Sequence, residues 1–188
     1  MLGKLRLITL VEKAELRPLG EAVVKGIASV LNVEPVVRWY RGPPIRPFVN
    51  PRRGQCDAER LLDALRAKYR VSKGERLIAI LDCDAYVEGL NFVFGIAAPN
   101  WGGIVFLERL RPEFYGQSAS PALLQNRVLK VSLHELGHSL GLRHCANRRC
   151  VMWFDNTVYE VDAKRARFCV SCTLALETMH PGLVRVYA

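Results

Sequence analysis

The chain has 188 residues, half of them apolar, enough to bury one sizeable core and short enough to favour a single domain over two. Its 27 basic against 18 acidic residues give a formal net charge of +9, but the closest basic groupings (Arg38, Arg41, Arg46, Arg52, Arg53; then Arg143, Arg148, Arg149) show no aromatic-interleaved RNA-binding pattern, so nucleic acid is not expected as a partner. No run approaches the roughly 20 apolar residues of a membrane span, and the first residues alternate like a strand rather than a signal peptide's apolar core, so we expect a soluble cytoplasmic protein with no membrane partner.

In chain order, residues 4 to 11 alternate at period two with β-branched content, and Leu19, Val23, Ile27, Val30 and Leu31 then recur at helical spacing. Val33 to Tyr40 is β-branched and aromatic. Arg41 to Gly54 carries four prolines and two glycines, a density regular structure does not tolerate. Leu61, Leu62, Leu65 and Tyr69 mark a second helix, and Arg76 to Leu81 is a nearly continuous apolar run suited to a strand buried on both faces. The order β-α-β-α-β predicts parallel strands with helical crossovers packed on a twisted sheet.

Asn91 to Ala97 and Gly103 to Leu107 are strand-like runs joined by a turn-rich connection, predicting a hairpin at a sheet edge. Pro121 to Leu140 repeats apolar residues at helical spacing without an interior proline and predicts one long helix. After Gly141 periodicity is lost. The expected fold class is therefore α/β (α+β): a twisted mixed sheet with packed helices, a long helix and an irregular C-terminal part.

That helix carries His134-Glu135-Leu136-Gly137-His138, the pattern H-E-x-x-H. Four-residue spacing sets both imidazoles on one face, one turn apart, within reach of one zinc ion. Glu135, beside the first ligand, is placed to take a proton from a water whose pKa the metal lowers. Gly141 and His144 follow at three-residue steps and complete H-E-x-x-H-x-x-G-x-x-H, the string of the metzincins. Gly141 lets the helix end and the chain turn back, so that His144 can join the same metal. The fourth histidine, His180, has no motif around it and reads as structural.

Cys145, Cys150, Cys169 and Cys172 follow at ligand-like spacings and read as a closed four-thiolate zinc site that staples the tail. Two disulfides or a reactive thiol pair are the rival readings. Cys56 and Cys83 read as buried thiols, Tyr159 as core or surface, and Asp82 and Asp84 as solvated carboxylates at a strand end rather than cation ligands.

His134 to His144, the adjoining Cys145, Cys150-Val151-Met152 and Cys169-Val170-Ser171-Cys172 together resemble the archaemetzincin signature, with sixteen residues between Met152 and Cys169. The resemblance implies a metzincin-like fold with an upper sheet-and-helix part, a lower irregular part and the catalytic zinc in the cleft between. It also implies that Met152 is the Met-turn residue beneath that zinc. The expectation is a single catalytic domain, 1–188, divided into 1–141 and 142–188, acting as a monomeric zinc metalloprotease on a peptide or protein substrate with two zinc ions. A zinc-stabilised binding protein with little turnover, or a hydrolase of non-peptide amides, are the alternatives.

Overall fold

The computed structural model describes residues 4–185. Strand β1 (Leu5–Val11) buries its last five residues, and α1 (Arg17–Val30) begins with a proline in its first turn, where no helical partner is lost. β2 (Val33–Trp39) returns parallel to β1, pairing Val33 with Leu5. The proline-rich stretch after it contains a short 3₁₀ turn and β3 (Val49–Asn50), followed by β4 (Gln55–Asp57). Asp57 caps α2 (Ala58–Lys68) by accepting from the Arg60 N–H at 3.1 Å. β5 (Glu75–Leu81), buried almost throughout as its apolar run predicts, pairs parallel with β1.

β6 (Ala85–Tyr86), β7 (Gly95–Ala98) and β8 (Gly102–Phe106) complete the strands. The main sheet has the order β2-β1-β5-β8-β7, with only β7 antiparallel. The expected hairpin is present, but its first strand starts at Gly95 rather than Asn91, and β8 lies inside the sheet, so β7 alone is the edge on that side. Gly102 makes the turn: at φ +140° a β-carbon there would sit 1.7 Å from the Leu77 carbonyl oxygen. A small second sheet, β3-β4-β6, escaped the sequence reading because strands of two or three residues show no periodicity.

The long helix α3 (Pro121–Ser139) is capped by the Ser120 hydroxyl, which accepts from the Leu123 N–H. One core lies where α1, α3 and the C-terminal segment cover one face of the sheet, and a second lies under α2 on the other. Arg127 of α3, 1% exposed, forks onto Asp162 at 2.8 and 2.7 Å and donates to the Leu110 carbonyl. The C-terminal part is less irregular than expected. It contains α4 (Val158–Ala163), closed by a Thr157/Glu160 capping box, and α5 (Val170–Met179). The first is too short to show a period, and the apolar residues of the second are spread around its circumference. Among the described residues no helix is long and apolar enough to cross a membrane.

Candidate active site

His134 and His138 stand one turn apart near the end of α3. Gly141, at φ +101°, then reverses the chain so that His144 comes back to them. The His138 Nε2 lies 3.0 Å from His134 Nε2 and 3.2 Å from His144 Nε2. His134 and His138 each direct Nδ1 at a carbonyl, of Val151 at 2.8 Å and Leu142 at 2.9 Å. A carbonyl only accepts, so each ring spends its proton on Nδ1 and turns a bare Nε2 lone pair to the centre. Burial first, then the Lys164 charge, pull His134 well below the usual histidine range, which keeps the ring neutral. Lone pairs crowded this closely repel unless a cation lies between them. A tetrahedral zinc with nitrogens at about 2.0–2.1 Å spaces them by roughly 3.3 Å, so the donor set fits that ion.

The residues beneath are close-packed. Met152 is fully buried, and a β-carbon on Gly137 would fall 2.4 Å from its Sδ. Gly137→Ala is therefore expected to cost about 1–3 kcal/mol and to weaken metal retention, seen as a lower Tm together with faster zinc loss to a chelator. Wild-type values for both would show that Met152 yields freely.

Glu135 is 6% exposed and rests against β7 and β8. A β-carbon on Gly95 of β7 would meet its Oε1 at 2.5 Å, and one on Gly103 of β8 would meet its Cβ at 2.6 Å. Both positions need the bare backbone that lets the carboxylate in. Burial pushes Glu135 up to about 8, partly opposed by the Lys164 cation. With the three histidines it lines a cavity of about 390 Å³ that runs between β7 and a wall made by Phe154, Asp155 and Asn156. The Lys164 ammonium, buried behind that wall, pairs with Asp155 and donates to the Trp153 carbonyl at 3.3 Å. Neither the wall nor this pair has a sequence signal, because nothing local joins residue 155 to 164 or either to Glu135.

The four cysteines of the tail also converge, with all four sulfurs within 4.8 Å of one another. Cys145 and Cys169 are 3.7 Å apart, as are Cys150 and Cys172. A disulfide needs about 2.05 Å, whereas four thiolates around zinc at about 2.3 Å stand roughly 3.8 Å apart. Burial pushes the Cys150 thiol up, partly opposed by the Met152 and Cys169 N–H groups, which donate to its Sγ at 3.5 and 3.3 Å.

Other candidates lie elsewhere. His180, half-buried after α5, donates Nε2–H to the Leu140 carbonyl at 2.9 Å and so ties α5 to the end of α3. Removing that donor in His180→Ala is expected to cost about 1 kcal/mol, a fall of roughly 2–4 °C in Tm. An unchanged melting curve would make the bond incidental. Tyr159 is exposed and contacts Tyr115. Asp82 and Asp84 are held by cations: Asp82 by Lys13 and Arg111, Asp84 by Arg109 at 2.8 Å, which corrects the solvated reading. Cys56 is a fully buried thiol and Cys83 a half-buried one.

The site has the donors of a zinc hydrolase, and the model of peptidase family M54 matches residues 34–178. The chain belongs to that family. It is 40% identical over 179 residues to an archaemetzincin of Saccharolobus islandicus (strain L.S.2.15 / Lassen #1), covering 95% of this chain and 94% of the relative. The crystal structure of an archaemetzincin from Methanopyrus kandleri superposes with a TM-score of 0.81 at 32% identity, over 94% of this chain and 95% of that one. A zinc-dependent peptidase from Methanocorpusculum labreanum gives 0.77 at 27% identity, over 91% and 99%. The archaemetzincin resemblance in the sequence is thus borne out, and the protein is a zinc metallopeptidase with the archaemetzincin fold.

Proposed function

We propose that His134, His138 and His144 hold the catalytic zinc through Nε2, that Glu135 is the general base, and that Cys145, Cys150, Cys169 and Cys172 hold a second, structural zinc. The observation that carries this reading is the meeting of three Nε2 atoms at 3.0 and 3.2 Å, with the Nδ1 of His134 and His138 committed to carbonyls. When bound, the zinc supplies Lewis acidity toward the scissile carbonyl and lowers the pKa of water at the site.

The chain's own groups do the rest. Glu135 removes the proton from the attacking water and returns it to the leaving amine. Its seat against Gly95 and Gly103 sets the carboxylate between the edge strand and the histidines. Met152, beneath Gly137, is the Met-turn packing residue. A substrate peptide lies extended along β7, the edge beside the cavity, and adds to it by backbone pairing. Gly103 to Leu107, the other run of the hairpin, does not offer this edge, because β8 has partners on both sides.

We read residues 1–188 as one catalytic domain, with 1–141 above the cleft and 142–188 below. Its support is the larger core, which draws buried residues from Leu7 to Val184 and so crosses that division. A site built from one chain supports action as a monomer, and a four-thiolate centre suits a reducing compartment such as the cytoplasm. Metal analysis with anomalous scattering on wild type and His138→Ala tests the metal assignments: two zinc ions falling to one is the expected result. Two ions retained in the variant would sink the histidine site, and one ion in the wild type would sink the pairing of centres.

A further inference from the structure

Asn126 and Lys130 precede His134 on the same face of α3, at four-residue steps. With Lys164, Arg165, Ala166 and Arg167, from the segment that follows α4, they line a second cavity of about 440 Å³, and among the described residues no carboxylate lines it. Lys130 is 6% exposed, and its ammonium donates to the Asp162 carbonyl at 2.9 Å. That uses one of three protons. The Asp162 carboxylate, the obvious partner, is taken by the Arg127 fork at 2.8 and 2.7 Å.

The Lys164 head group turns the other way, to Asp155 and the Trp153 carbonyl. Arg165 and Arg167 are exposed at the rim. Among the described residues no ion pair joins Arg165 to a carboxylate. Backbone bonds from Arg165 N–H to the Arg149 carbonyl at 3.0 Å and from Val151 N–H to the Arg167 carbonyl at 2.9 Å fix the rim in place. Burial pulls the Lys130 ammonium down, the Asp162 charge partly opposes this and the Lys164 charge adds to it; the net downward pull is one that an incoming anion offsets.

We propose that this cavity binds a phosphate-type oxyanion, with Lys130 as its floor, Arg165 and Arg167 as its rim and the Asn126 amide as an added donor. A recess lined by cations and an amide, with no carboxylate among its described lining residues, matches a multiply charged group that only accepts hydrogen bonds. A single-stranded nucleic acid would need aromatic faces for its bases, and among the described residues no aromatic side chain lines the cavity.

Isothermal titration of the zinc-loaded protein with pyrophosphate, at fixed sodium chloride, is expected to show saturable one-to-one binding for which sulfate competes. In R165A/R167A and in K130Q the affinity falls by roughly tenfold or more, with zinc content unchanged. Should K130Q fail to fold, the rim variant decides. ATP binding more tightly than pyrophosphate assigns the site to a nucleotide's phosphates; equal or weaker binding assigns it to the free anion. The proposal is overturned if wild type and rim variant bind alike, if binding disappears only in His138→Ala and so belongs to the catalytic metal, or if millimolar pyrophosphate gives no saturable heat.

Discussion

Glu135→Gln is expected to lose peptide hydrolysis by roughly 10²–10⁴-fold or more while the protein keeps its fold and its metal. Glutamine preserves the shape that fits against Gly95 and Gly103 but cannot accept a proton. Burial disfavours the carboxylate charge, so a neutral amide costs nothing in packing or desolvation, and in metal-free protein the Tm should hold or rise. Turnover on a peptide selected from a denatured-protein digest, read beside zinc content and Tm, is the measurement. Wild-type turnover with zinc retained would remove Glu135 from the chemistry; parallel loss of zinc and Tm would reduce it to a structural residue.

Cys172→Ser carries the second large effect. Structural zinc in small sites contributes apparent free energies of about 10 kcal/mol, and one missing thiolate forfeits several of these. At roughly 2–4 °C per kcal/mol, the Tm should fall by more than about 10 °C, with zinc content dropping toward one per chain. The loss should spread to the catalytic centre. Cys145 directly follows His144, the Cys145 N–H donates to the Met152 carbonyl at 2.9 Å, and the Val151 carbonyl holds His134. A loosened tail therefore frees two of the three histidines, and chelator-induced zinc loss should be faster. Cys56→Ser, far from these sulfurs, is the control and should leave metal content unchanged. A Cys172→Ser protein with two zinc ions and a wild-type Tm would refute the four-thiolate site.

Much of the site was legible because its spacing is local. A helix repeats every 3.6 residues, so H-E-x-x-H places His134 and His138 together before any tertiary contact is known, and Gly141 announces the reversal that brings His144 back. The strands Leu5–Val11 and Glu75–Leu81 and the helices α1, α2 and α3 were readable for the same reason: each is long enough to show its period. The two C-terminal helices and the small sheet were not, being too short or too evenly apolar.

The sequence by itself determined the chemistry: three imidazoles, one carboxylate and four thiols at spacings that follow from helix geometry and chain turns. Only the tertiary structure decided where that chemistry faces. It put β8 inside the sheet and left β7 as the edge, seated Glu135 against two glycines some thirty to forty residues before it, and closed the cleft with a wall backed by the Lys164 and Asp155 pair. Asp82 and Asp84 went to arginines for the same reason. Strand neighbours and buried charge partners are chosen by packing between segments distant in the chain, and such choices leave no period in either segment.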